Sequence, residues 1–158
     1  MPSISNFTFD EITVGQTATY SKTITEEDIV QFAVVSGDAN PVHLDADFAA
    51  TTQFGERIAH GMLTGAIISA ALAMKLPGPG SIYLNQSLRF TAPVTIGDAV
   101  TVKLEVTDKN DRRGFVTLST EAVNQNDERV ATGEAQLIAP QEKLVLTQPA
   151  LPTVTLTP

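Results

Sequence analysis

Residues 60–75 read His-Gly-Met-Leu-Thr-Gly-Ala-Ile-Ile-Ser-Ala-Ala-Leu-Ala-Met-Lys, with no acid and with apolar or small side chains nearly all round. A helix of that composition has no face it can leave in water, so it must be the buried helix of a core. It is too short to cross a bilayer, which takes about 20 apolar residues. Lys75 suits the negative end of a helix dipole, and Pro77 with Gly78 ends the element. From Gly80 onward the apolar period changes to two, predicting strands over 81–90, 99–107, 114–123 and 129–138. Turn residues at 93–98, 108–111 and 124–127 separate them, and such short connections predict antiparallel neighbours. Residues 15–23 predict one earlier strand. The expected fold class is therefore α+β, an antiparallel sheet wrapped around one long buried helix. A sheet of this kind keeps an exposed edge, which a second copy of the chain would complete.

Before the buried helix, Thr25-Glu-Glu-Asp28 predicts a capped helix start. Ile29, Phe32, Ala33 and Val35 or Ser36 would form its apolar stripe, and Gly37 its stop. Residues 38–54 predict an irregular segment with a short helix over 45–52, capped by Asp45. Residues 140–158 contain four prolines and no core-like period, so they are expected to be an extended or disordered tail after a domain of residues 1–139.

Several function classes drop out. The chain has no cysteine, which excludes disulfides, thiol nucleophiles and cysteine-ligated metals. Ten basic against eighteen acidic residues give a net charge of −8, unsuited to a nucleic-acid partner. The first ten residues lack the basic flank and apolar run of a signal peptide, so the expected setting is cytoplasmic with no membrane partner. Residues 1–56 hold nine acids and one base, Lys22, while residues 57–158 hold nine of each. A polyanionic ligand is thus expected on the later part, where Lys109, Arg112 and Arg113 cluster; the same three residues also suit a solvated hairpin tip.

Histidine chemistry must use His43 or His60, the only two histidines. Asp38 and His43 lie five residues apart in Ser36-Gly-Asp-Ala-Asn-Pro-Val-His43. Gly37 permits a sharp turn, Pro41 fixes a dihedral and pushes Asn40 out of the helical region, and Asn40 can brace the turn. Such a turn can aim a carboxylate and an imidazole at one spot, although Asp, Asn and Pro are also ordinary turn residues. Flanking apolar helices would desolvate Asp38. His60-Gly61 opens the buried helix, where free N–H groups suit an anion or a developing oxyanion. His60 itself reads as a cap or supporting hydrogen-bonding group. Gly65, Ile68, Ser69 and Leu72 share a face with Gly61, and eleven residues at about 1.5 Å reach roughly 16 Å, enough to flank an acyl chain. Taken singly, each of these four also reads as plain core.

Phe32-x2-Val-Ser-Gly-Asp-x-Asn-Pro-Val-His43-x5-Ala49 resembles the signature of the hydratase 2 family, the (R)-specific enoyl-CoA hydratases of the MaoC-like group. His60-Gly-Met-Leu63, Gly80-Ser-Ile-Tyr83, Gln86-Ser-Leu-Arg-Phe90 and Pro93-Val-x-x-Gly-Asp98 are similar to it as well. The resemblance implies a hot-dog fold, a homodimer, and an acyl-CoA substrate of the trans-2-enoyl class. It implies that Asp38 and His43, on an irregular overhanging segment, hold one water, with Asp38 the expected base. Gly61 N–H would be the oxyanion contact, and Ser36, Asn40, Pro41 and His60 would support the site. An acyl pocket at Gly65, Ile68, Ser69 and Leu72 and CoA phosphates at Lys109, Arg112 and Arg113 complete the expectation. No metal and no cofactor are expected, CoA entering with the substrate. Residues 57–80 contain no acid, against a thioesterase or a dehydratase that pairs a loop histidine with a helix carboxylate. Dehydration of (R)-3-hydroxyacyl thioesters on CoA or a carrier protein, and non-catalytic acyl-CoA binding, stay open. The proline-containing tail departs from a minimal single-domain member.

Overall fold

The computed structural model describes all residues, 1–158. Its elements in chain order are β1 (Ser3–Ser5), a 3-10 turn (Phe9–Glu11), β2 (Thr17–Thr23), α1 (Glu26–Ser36), α2 (Pro41–Leu44), α3 (Ala46–Ala50), α4 (Gly61–Met74), β3 (Ile82–Phe90), β4 (Ala99–Asn110), β5 (Phe115–Val123), β6 (Arg129–Ile138) and β7 (Val145–Thr147). Five strands form one antiparallel sheet in the order β2-β4-β5-β6-β3. Helix α4 packs on its inner face against β2, β4 and β5.

The period-two pattern explains that face. Val100, Val102, Leu104 and Val106 of β4 point inward, as do Val116, Leu118 and Ala122 of β5. They meet Ile67, Ile68, Ala71 and Leu72 of α4 in one core cluster. The all-apolar helix is buried as its composition requires, except along an outward stripe where Met62, Ala66 and Ala73 remain open.

Strands β4, β5 and β6 are sequential antiparallel neighbours, as the short connections predict. Strand β3 is not a neighbour of β4; it crosses to the far edge and pairs only with β6. Residues 91–98 can span about 26 Å when extended, against roughly 14 Å for three strand spacings, so a link of that length need not close a hairpin. On its way the link holds the approach to α4: Ala59 N–H donates to Val94 O at 2.7 Å, and Ile58 bridges Thr95.

The predicted start and stop of α1 are present. Thr25 Oγ1 accepts from Asp28 N–H, the Asp28 carboxylate accepts from Thr25 N–H, and Gly37 takes a left-handed φ of 80°. The expected stripe is only half right. Ile29 and Ala33 are buried, but Val35 is 85% exposed, because α1 is covered along one narrow line rather than wrapped.

In the segment read as a tail, residues up to Thr147 are tied to the N-terminus. Strand β7 pairs with β1, Phe9 N–H donates to Pro140 O, and buried Asn6 bonds both Glu142 O and Leu144 N–H. Residues 148–158 form no helix or strand.

Burial alone would raise the Asp28 carboxyl, but hydrogen bonds from Thr25 N–H and Lys22, with the Lys22 charge, hold it below the ordinary value of 3.8. A carboxyl lowered in the folded state stabilises fully above the unfolded value and loses that contribution as pH falls through the folded one. Asp28→Asn is expected to lower the thermal midpoint at neutral pH, with the gap to the parent closing below about pH 4. Thr25→Ala, which removes the cap, should cost about 1 kcal/mol, or a fall of about 2–4 °C in thermal unfolding.

Candidate active site

A chain of short hydrogen bonds builds the turn after α1. Ser36 Oγ donates to Phe32 O at 2.6 Å and accepts from Asp38 N–H at 3.1 Å. Asp38 Oδ1 accepts from Asn40 N–H at 3.1 Å, and Asn40 Oδ1 caps α2 by accepting from Val42 N–H at 3.3 Å. Pro41 occupies the first turn of α2, where its missing N–H costs nothing. This one-turn helix, hidden inside the segment expected to be irregular, carries His43.

The turn brings Asp38 and His43 together. Asp38 Oδ2 stands 3.8 Å from His43 Nε2, too far for a direct bond but close enough for a water about 2.8 Å from both. The His43 ring is fixed from behind, since its Nδ1–H donates to Ile58 O at 2.8 Å. In the neutral ring that bond leaves Nε2 as a free acceptor turned toward the carboxylate. His43 is buried, whereas the Asp38 side chain is 49% exposed. The expected desolvation of Asp38 is therefore absent in the single chain, where Val34 and Val35 of the flanking α1 are exposed as well.

His60 supports both partners. Its ring stacks on His43 with centroids 3.7 Å apart, and its Nε2–H donates to the Asp38 main-chain carbonyl at 3.0 Å. The Phe32 ring also packs against His60, tilted by 53° with centroids 4.9 Å apart. His60 Nδ1 is buried without a hydrogen-bond partner. Donor atoms of Asp38, His43 and His60 lie within 4.8 Å of one another, yet they suit a metal ion poorly. The two rings are only 25° from parallel, so their in-plane lone pairs do not converge, and His60 Nε2 is already committed to a carbonyl.

Gly61 is the first residue of α4, so its N–H has no acceptor within the helix. A β-carbon there would meet the Phe90 ring at 3.1 Å, which explains glycine at this point. Beside it lies a cavity of about 430 Å³, walled by His60, Gly61, Thr64, Phe54, Phe90 and Val130 among others. Its walls include neither Asp38 nor His43; His60 is the residue common to the cavity and the acid–imidazole pair.

Two expected features are placed differently. The face of α4 expected to flank an acyl chain is closed: Ile68 and Leu72 belong to the core, Gly65 is covered by Leu88 and Met62, and Ser69 is half-buried. The open space along α4 lies instead around its first turn and, in a second cavity of about 660 Å³, beside Ala70, Met74 and Lys75 near its other end. Lys109, Arg112 and Arg113 sit at the β4–β5 end of the sheet opposite this cavity in the same chain. Phe115 to Ala122 alone is roughly 23 Å of strand. Lys109 is moreover engaged, donating to Ile12 O at 2.6 Å over the Phe9 ring. Sequence reasoning missed Arg57 and Ile58, which grip His43, and Thr64 and Phe90, which wall the cavity. A lone arginine three residues ahead of the His-Gly start of an apolar helix was the available signal for Arg57.

Residues 10–128 match the family model described as the MaoC like domain. An (R)-specific enoyl-CoA hydratase of Rhodospirillum rubrum is 49% identical over 132 residues, 84% of this chain and 91% of that protein. A 3-hydroxybutyryl-CoA dehydratase of Methylorubrum extorquens is 43% identical, over 90% of each chain. The unliganded R-hydratase PhaJ1 of Pseudomonas aeruginosa superposes with a TM-score of 0.95 at 52% identity, covering 99% of this chain and 100% of that one. The sheet wrapped on one helix is thus the hot-dog fold, and the chain belongs to the MaoC-like domain family.

Proposed function

We propose that this protein is an (R)-specific enoyl-CoA hydratase, a hydro-lyase that adds water across the C2–C3 double bond of a trans-2-enoyl-CoA. The observation that carries the reading is the 3.8 Å gap between Asp38 Oδ2 and His43 Nε2, two acceptors facing one position. A water there donates one hydrogen to each, which leaves an oxygen lone pair free for C3. As the C3–O bond forms, one proton passes to Asp38, with His43 holding the other hydrogen and orienting the nucleophile. The C2–C3 π electrons move toward the thioester oxygen, and Gly61 N–H stabilises that charge; such a donor is typically worth about 3 kcal/mol. Return of the proton to C2 from the same side completes syn addition, and the (R) product agrees with the names of the relatives. No atom beyond water and the thioester is needed. The same groups run in reverse would dehydrate an (R)-3-hydroxyacyl thioester.

A second copy of the chain completes the site. Edge strand β3 exposes Ile82 (55%), Leu84 (44%) and Phe90 (48%) beside the open stripe of α4. Antiparallel pairing of two β3 edges would give a continuous sheet and set the Ile82 end of one strand beside the Phe90 end of the other. The β4–β5 hairpin of the second copy, with its arginines, then comes to the end of the sheet where the Gly61 cavity opens. That arrangement would restore the expected phosphate contact across the homodimer. No helix here is long and apolar enough to cross a membrane.

With crotonyl-CoA as substrate, Asp38→Asn and His43→Gln should each lose most of the turnover while keeping the thermal midpoint and the oligomeric state. Near-parental rates would remove the altered residue from the mechanism, and tight binding without turnover in the parent would favour the non-catalytic module. Light scattering should give twice the chain mass for the parent and one chain mass for Leu84→Lys, which puts a charge into the paired edge. A monomeric parent would contradict the dimer.

A further inference from the structure

We infer that Arg57 is a positioning residue for His43, acting through a strap of residues 57–60 that sets both members of the acid–imidazole pair. The inference rests on the hydratase reading above. Arg57 Nε–H donates to the main-chain oxygen of His43 at 2.7 Å, and its Nη1 bonds Glu26 of α1 at 2.7 Å, with only 13% of the side chain exposed. The next residue grips the same histidine from the other end: Ile58 O accepts His43 Nδ1–H, and Ile58 N–H donates to Val42 O at 3.3 Å. Ala59 and Ile58 are tied in turn to Val94 and Thr95 of the crossing link, and His60 stacks on His43 while holding the Asp38 carbonyl. Four consecutive residues therefore connect the crossing link to the ring and carbonyl of His43 and to the carbonyl of Asp38.

The need for Arg57 follows from the shortness of α2. One helical turn cannot hold itself: only Pro41 O accepts an amide from the chain just beyond it, Asp45, and the carbonyls of Val42 and His43 take their donors from the 57–60 strap. Arg57 supplies a charge-assisted donor to one of those carbonyls and uses its second arm to fix that donor to α1. Only a planar fork makes both bonds at once, so lysine is not its equivalent. Freed from this hold, α2 would drift by a fraction of an ångström. Because the Nε2-to-carboxylate gap decides where water sits, such drift would act on the chemical step more than on substrate binding.

The test uses the full chain with crotonyl-CoA. Arg57→Ala should lower kcat by about ten- to a hundredfold with KM within about threefold of the parent. Added guanidinium ion should restore part of that loss, because a free guanidinium can bond the exposed His43 carbonyl. If Arg57→Ala fails to fold, Arg57→Lys keeps the Glu26 pair and serves instead, with a reduced kcat and a parental thermal midpoint expected. Parental kcat in a folded variant would overturn the inference. So would a loss shared equally by kcat, KM and thermal stability with no response to guanidinium, which marks a purely structural role. A parent with no turnover would instead overturn the hydratase reading itself.

Discussion

Burial of α4 is the constraint from which the rest follows. Fourteen residues with no polar face leave the chain no alternative to wrapping them, and a single curved sheet covers only the inner side. Truncating one core residue such as Ile68 or Leu72 to alanine would cost about 2–5 kcal/mol, a large part of a typical 5–15 kcal/mol stability. The helix N-terminus must then emerge where the sheet ends. There the amide of Gly61 is left without a helical acceptor, beside a cavity that the sheet and the crossing link wall off. The place of the site is thus a consequence of how the core closes.

What makes that place chemically useful is the stiffness of its surroundings. A half-exposed aspartate on a turn would ordinarily wander. Here Asp38 is tied through its own carbonyl to His60 and through Oδ1 to the Asn40 amide, so only Oδ2 faces the imidazole. His43 is held at its ring, its amide and its carbonyl. The two histidines divide the labour: one keeps a free ring nitrogen toward the carboxylate, while the other lies flat beneath it as a spacer. The Asp38 side chain is half-exposed and the β3 edge unpaired in the single chain.

Features that rest on local chemistry were legible in the sequence. The Thr25–Asp28 cap, the Gly37 stop, the buried helix and the period-two strands follow from side chains a few residues apart, and so did the approach of Asp38 to His43. Features that depend on distant packing were not. Nothing in 81–90 says that the strand lies beside β6 rather than β4, because an eight-residue link permits either. Helix α2 is one turn long and has no period to detect. The closed face at Ile68 and Leu72 looks the same in sequence as an open one, since both are apolar at helical spacing. Arg57 escaped notice because its partner is a carbonyl, which no residue pattern marks.

The most direct measurement of the central claim is hydration of crotonyl-CoA in deuterium oxide, with the configuration at C3 and the label at C2 read from the product. One water held between Asp38 and His43, delivering hydroxyl and proton to one face, predicts deuterium at C2 added syn, and the likeness to (R)-specific relatives predicts (R)-3-hydroxybutyryl-CoA. An (S) product, anti addition, or an unreacted double bond would contradict it.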